Sequence, residues 1–289
     1  MILVTGATGV SGSFIIREFA RQNTQVRALV RSRAKARAIE AFPTMEIVEG
    51  NMLWPETLGA ALDGVDRVLM ISSAAEQMLE TQCTFIDAAK SAGVRHIIKL
   101  SGKGSGIGYN TKLFRTVRLH EEIERYLEGS GLAWTHLRPS QFMQFYFPGA
   151  PAMNFTANTL SLPMENAKLS PVDIEDIANV AFALLHSEGH EGKSYEMTGP
   201  EALTMAEVAE QVSQATGRTI EYVNITLEEY RRAILAAGTS PERADGFVEI
   251  WSERRRCGES RVDLRAHETF GVSPTTFAEF ARRNAARWS

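Results

Sequence analysis

Several things are scarce in this chain, and each scarcity closes off a class of protein. Only two cysteines, Cys83 and Cys257, occur in 289 residues. They are too few and too far apart for a disulfide framework, so reduced thiols in a cytoplasmic protein are expected. Histidine is sparse too: His96, His136, His186, His190 and His267 show no metal-ligand spacing with each other, with cysteine or with carboxylates. No metal is expected. No apolar run approaches the roughly 20 residues that cross a bilayer. The opening "MILV" is interrupted at once by Thr5 and Gly6, and no basic region precedes it, which argues against a secretory signal. Charge of one sign is also lacking. A formal net charge of -4 leaves no footprint of nucleic-acid binding, and the basic run "RSRAKAR" is local. Repeats and low-complexity tracts are absent.

What is present is an ordinary globular composition, 44% hydrophobic and 23% charged, in a chain long enough for one large domain or two that share a core. Its first half alternates strands and helices. "MILVT", "QVRALV", "MEIVEG", "DRVLMISS", "RHIIKLS" and "AWTHLRP" read as strands. Helical stretches lie between them, "VSGSFIIREFARQ", "SRAKARAIEAF", "PETLGAALDG", "EQMLETQCTFIDAAKSAG" and "KLFRTVRLHEEIERYLEGSG". That alternation predicts βαβ units and a parallel sheet covered on both faces. After Pro139 the rhythm changes to the aromatic "SQFMQFYFPGAPAMNF", then a helix in "VDIEDIANVAFALLHSEG", a strand in "KSYEMTG", and a helix in "TMAEVAEQVSQATG". The last of these carries Thr204 and Glu207 at capping-box positions.

Gly6, Gly9 and Gly12 stand between the first strand and the first helix, the context that a dinucleotide fingerprint requires. One glycine permits a tight turn, one lets the backbone approach a pyrophosphate, and one lets the helix pack close to the sheet. The helix N-terminus adds free N–H groups and a positive dipole end. The spacing is G-x-x-G-x-x-G, the variant of short-chain dehydrogenase/reductase sheets. About 20 residues further on, an NAD-binding chain usually has a carboxylate for the ribose hydroxyls. Here Arg31 takes that place, followed by Ser32 and Arg33. Guanidinium groups pair with a 2′-phosphate that a carboxylate would repel, so NADP(H) is expected over NAD(H). A solvated basic helix start is the alternative.

"TGATGVSG", "LVRS", "AAKSAGVRHIIKLS", "TVRLHEEIERYLEGSGLAWTHLRP", "SPVDIEDIA" and "YEMTGPEALTMAEVAE" together resemble the NmrA-like branch of the atypical short-chain dehydrogenase/reductases. The match weakens after about residue 235. In style it is nearest the quinone-reducing and dye-reducing members. The resemblance implies a Rossmann-type doubly wound parallel sheet in residues 1–150, with a discontinuous return near 170–190. A smaller C-terminal α/β substrate domain would occupy most of 151–289, with substrate in the cleft between the two. It implies that Thr5, Gly6, Thr8, Gly9, Val10 and Gly12 line the pyrophosphate and that Arg31, with Arg33 beside it, faces the 2′-phosphate. Asn51 and Met52 would lie near adenine; relatives usually have Asp at position 51, so the adenine contact is altered here. Ser72 and Ser73 would approach the nicotinamide ribose, or simply end a strand.

Short-chain dehydrogenases usually supply a proton from Tyr-x-x-x-Lys on the helix after the fifth strand. That register falls on Thr116 and His120, so the pair is absent. Tyr109, with Lys112 nearby, is a candidate displaced acid. His120 is a candidate substitute that titrates near neutrality and donates to the ribose or to a quinone oxygen; a structural histidine is the alternative. Phe142, Met143, Phe145 and Tyr146, with Phe147, would stack on a large planar substrate or pack between domains. "ERRRCGESR" reads as a solvated helix face rather than an anion patch. The expected protein is an NADPH-dependent oxidoreductase acting on a quinone-like or other conjugated aromatic acceptor. Hydride transfer to such an acceptor demands no strong acid. A non-catalytic NADP(H)-binding redox sensor remains open, as does the choice between monomer and homodimer. Nucleic acid and membrane are not expected partners.

Overall fold

The computed structural model describes residues 1–72, 77–102, 115–150, 153–156, 158–258 and 260–288. Its first half runs β1 (Ile2–Val4), α1 (Val10–Arg21), β2 (Val26–Val30), α2 (Arg37–Glu40), β3 (Met45–Glu49), α3 (Gly59–Leu62), β4 (Arg67–Met70), α4 (Met78–Ser91), β5 (His96–Leu100), α5 (Arg115–Gly129) and β6 (Ala133–Pro139). Then follow β7 (Thr159–Leu162), α6 (Ile174–His186), β8 (Lys193–Met197), α7 (Met205–Thr216) and β9 (Glu221–Asn224). The chain finishes with α8 (Leu227–Ala236), α9 (Pro241–Cys257), α10 (Arg265–Phe270) and α11 (Phe277–Arg283).

Seven strands form one sheet in the order β3-β2-β1-β4-β5-β6-β8, and every pairing is parallel. This is the expected Rossmann-type doubly wound sheet. The order reverses between β1 and β4, and in such sheets ligands bind outside the carboxyl ends of the strands at that switch. A second, two-stranded parallel sheet pairs β7 with β9.

The sheet is covered on both faces. α1 lays Gly12, Ile15, Ile16 and Phe19 on one side, where α6 adds Ile177, Val180, Ala181 and Leu184. Full burial of an Ile or Phe side chain contributes roughly 1.5–3 kcal/mol, so these spacings hold both helices firmly. α4 and α5 cover the other face with Phe85, Ile86, Ile123 and Leu127. A third core gathers Met143, Tyr146, Leu160, Val208, Trp251, Phe277 and Phe280 from the later elements. Thr204 and Glu207 form the capping box that their spacing predicts.

Two helical expectations shrink. "SRAKARAIEAF" forms a 3₁₀ turn, Arg33–Lys35, and one α-helical turn rather than a continuous helix. The Arg33 backbone N–H is taken by Glu49 of β3 and its guanidinium donates to the Ile47 carbonyl at 2.7 Å, which pins the segment to the strand edge. "PETLGAALDG" likewise splits into a 3₁₀ turn and α3.

Candidate cofactor and catalytic site

The turn from β1 into α1 is a cradle that only glycine can make. Gly6 has φ +60, and a Cβ there would meet the Ile71 carbonyl oxygen at 2.7 Å. A Cβ on Gly12 would lie 2.2 Å from the Gly6 carbonyl oxygen. Gly9 is the N-cap of α1, with no side-chain cap bond and no acid in the first turn, and Thr8, Gly9 and Val10 are exposed. An open helix N-terminus of this kind is an anion seat. Thr5 braces the turn from behind. Its hydroxyl donates to the Ile71 carbonyl at 2.7 Å and accepts from the Ile71 N–H at 2.8 Å, clamping β1 to β4 at the switch point while fully buried.

Beyond β2 the two arginines part company. Arg31 is exposed and has no side-chain partner among the described residues. Arg33 is instead tied to Ile47 and pairs with Glu40 at 3.5 Å, so its guanidinium holds the loop. Asn51 uses its side-chain oxygen to accept the Leu53 N–H at 3.1 Å, and Met52 is buried in the core of the α4 face. Ser72, at the end of β4, accepts from Gln82 at 2.7 Å. Ser73 and Tyr109 lie outside the described residues.

Beneath the carboxyl ends of β5 and β6 runs a buried polar chain. Lys99 of β5 is fully buried, and its Nζ lies 2.8 Å from Nδ1 of His120 on α5. The other edge of the ring, Nε2, faces Gly102 so closely that a Cβ there would come within 2.5 Å of it. One turn along α5, buried Glu124 accepts from Arg138 at 3.0 and 2.7 Å, and Arg138 reaches Glu196 of β8 at 3.3 Å. Burial brings the Lys99 ammonium down to about 7, opposed by Glu124 and assisted by Arg138. Burial, then the neighbouring Lys99, holds His120 well below the ordinary imidazole range. The expectation that His120 titrates near neutrality is therefore corrected: it stays neutral, and the group that titrates there is Lys99. Burial alone would raise the Glu124 carboxyl, but the Arg138 bonds and the nearby His136 keep it below its ordinary value.

A buried cation without a carboxylate in ion-pair contact weakens the fold. In the unfolded chain Lys99 titrates near its ordinary 10.5 and in the fold near 7. The penalty is thus complete below about pH 7 and fades as the pH rises toward 10.5. Lys99→Met should stabilise the protein by about 1–4 kcal/mol at pH 6, with a gain that shrinks through pH 8 to 10. Denaturant unfolding across that range checks it. A gain independent of pH would place the lysine's titration elsewhere.

The model of the NmrA-like family matches residues 1–281. The chain belongs to that family. This NmrA-like chain is 35% identical over 286 residues to the NAD(P)H azoreductase of Xenophilus azovorans, covering 99% of this chain and 98% of that one. The crystal structure of an NADPH-dependent quinone oxidoreductase from Escherichia coli, in complex with NADPH, superposes with a TM-score of 0.83 at 28% identity, over 98% of this chain and 99% of that one. Citrobacter sp. triphenylmethane reductase with NADP(H) shares the fold at a TM-score of 0.85 and 23% identity, over 99% and 100% of the two chains.

In this NmrA-like chain the aromatic segment divides. Met143 and Tyr146, expected against a substrate, are buried core residues; Tyr146 meets Phe277 edge-on at 5.3 Å. Phe147 packs on Phe280 at 5.3 Å and Trp288 at 5.0 Å. Phe142 and Phe145, 5.2 Å apart, are only half-buried. Just behind them stands Asp173, a buried hub. It caps α6 through the Glu175 N–H at 3.0 Å, accepts from Gln144 at 2.6 Å and pairs with Arg283 of α11. Neither Asp173 nor Lys99 was singled out from the sequence. A lysine in the middle of a strand buried on both faces was the available signal for the second.

Proposed function

We propose that this chain is an NADPH-dependent oxidoreductase that reduces a quinone-like or other conjugated aromatic acceptor. The observation that carries the reading is the glycine cradle beneath an uncapped helix N-terminus, with one unpartnered arginine at the end of β2. The residues present fit the cofactor. Gly6, Gly9 and Gly12 leave room for a pyrophosphate, the first turn of α1 offers its N–H groups, and Arg31 meets the 2′-phosphate. Bound NADPH supplies a hydride. The neutral His120 imidazole and the half-buried Phe142 and Phe145 rings are this chain's contribution beside it.

The missing Tyr-x-x-x-Lys pair fits the acceptor class. A ketone needs a strong acid as hydride arrives, whereas a quinone or azo group delocalises the charge, so a neutral N–H donor is enough. The activities for which the azoreductase and quinone oxidoreductase relatives are named agree with that chemistry. Residues 1–150 with the return near 170–190 would hold cofactor, and most of 151–289 would shape the acceptor side. The test is NADPH consumption across benzoquinones, naphthoquinones and azo dyes. Tight NADPH binding with no consumption by any acceptor would overturn the enzyme reading and leave a nucleotide-binding sensor.

Arg31→Asp should weaken NADPH binding by roughly 10–100-fold, the worth of a hydrogen-bonded pair with a charged group, and leave NADH binding nearly unchanged. Fluorescence titration of both nucleotides reads the ratio. Unchanged discrimination would remove Arg31 from the phosphate site.

A further inference from the structure

We infer that Lys99 is a positioning residue of the reducing site: from beneath α5 its ammonium holds the His120 imidazole in the Nε2–H tautomer and returns the proton that His120 gives up. The inference rests on the reductase reading above. An ammonium has donors and no acceptor. At 2.8 Å from Nδ1 it therefore makes Nδ1 the acceptor and leaves the ring's hydrogen on Nε2. That edge points to Gly102, at the carboxyl end of β5, where a doubly wound sheet keeps its ligands. The sheet side of the ring is thus the fixed end, and Nε2, the end that carries the hydrogen, lies at Gly102.

Among the described residues Lys99 Nζ has no other hydrogen-bond partner, and no carboxylate lies within ion-pair distance. The charged and titratable groups around it are Cys83 from α4, His120 and Glu124 from α5, and His136 and Arg138 from β6. A methionine would fill such a place at lower cost to the fold. What the lysine adds is a proton beside a ring that has one to give.

An acceptor that has taken a hydride from the reduced nicotinamide carries one negative charge on oxygen or nitrogen. A new O–H or N–H bond forms there as the His120 Nε2–H bond breaks. Nδ1 takes a proton from Lys99 Nζ in the same movement, so the imidazole stays neutral and the lysine becomes an amine. The ring then takes a proton from water at Nε2 and hands its Nδ1 proton back to the lysine amine, which restores the ammonium and the Nε2–H tautomer together. With NADPH bound to supply the hydride, the acceptor would gain one hydride and one proton. Burial, which brings Lys99 to about 7, lets it lose and regain that proton near neutral pH.

The experiment uses the full chain labelled with ¹⁵N-histidine, as wild type and as Lys99→Met, with His120→Gln to assign the signals. In the wild type His120 should show the Nε2–H tautomer and shift with a midpoint near 7 without reaching imidazolium values. Lys99→Met should lose both the tautomer bias and the step. With the fastest acceptor, kcat of Lys99→Met should fall about 10²-fold with KM unchanged, and the limb near neutrality should vanish. An Nδ1–H tautomer in the wild type, signals indifferent to Lys99→Met, or wild-type turnover in that variant would each overturn the inference. The wild-type signals decide the contact without any variant. Failure of the reductase reading looks different: the wild type itself consumes no NADPH with any acceptor, and the relay falls with it.

Discussion

Gly9→Val folds and unfolds like the wild type, and its affinity for NADPH falls by more than about 100-fold. Position 9 has ordinary extended backbone, φ -78 and ψ 176, which valine adopts without strain. A Cβ there meets only the Gly6 carbonyl oxygen, at 3.2 Å. The neighbour has to give by a few tenths of an ångström. Glycine at an N-cap also contributes little that a side-chain cap would, so the helix loses about 1 kcal/mol at most. The branched side chain then stands over the first turn of α1, where the free N–H groups are. Losing two charge-assisted hydrogen bonds, at about 1.5–3 kcal/mol each, amounts to roughly 10²–10⁴-fold in affinity. Gly12 is the contrasting position. Its Cβ would come 2.2 Å from Gly6 O and 2.8 Å from Gly6 C, so a side chain there breaks the β1–α1 turn itself. Fluorescence titration together with thermal unfolding separates the two outcomes. Normal NADPH affinity in a folded Gly9→Val protein would put the phosphates elsewhere.

The glycine turn was legible because its chemistry is local: three residues within one strand–turn–helix unit define the whole cradle. The parallel sheet was legible for a similar reason, since alternating strand and helix periods leave few other arrangements. In sequence Arg31 takes the position after β2 and Arg33 stands beside it, with no sign that Arg33 is engaged elsewhere. What separates them is the approach of β3, which brings Ile47 and Glu49 to Arg33, whereas Arg31 has no side-chain partner among the described residues. The two roles left open for the aromatic segment divide in the same way. Phe142 and Tyr146 differ only in which long-range partners arrive, and Tyr146 receives Phe277 from the far end of the chain. Lys99 is the clearest case. Every residue of "HIIKL" is buried, yet only the packing of α5 on β5 shows that the lysine meets a histidine.

His120→Ala should lower kcat by about 10²–10³-fold, within the range of a general acid–base role, while NADPH affinity stays close to wild type. The side chain is nearly buried, and its loss leaves Lys99 without its hydrogen-bond partner. A destabilisation of about 1–3 kcal/mol accompanies that, small enough for a folded protein at room temperature and visible in its melting temperature. Three readings of the same position make different patterns. A purely structural histidine would lose stability and keep its rate. A donor that only fixes the acceptor would be partly rescued in His120→Gln, whose amide N–H can donate and cannot transfer its proton. A proton carrier gains nothing from glutamine, and both variants lose the pH limb near 7 that belongs to Lys99. Gly102→Ala adds a control in which every polar group survives. Its methyl group would meet Nε2 at 2.5 Å and the adjacent ring carbon at 2.8 Å, so the ring must swing away from the crevice. Its rate should fall with that of His120→Ala, since a reacting group displaced by about 1 Å can cost 10²-fold. Wild-type turnover in Gly102→Ala, with His120→Ala still slow, would mean that the ring acts from another orientation and that the crevice edge of β5 is not where the proton leaves.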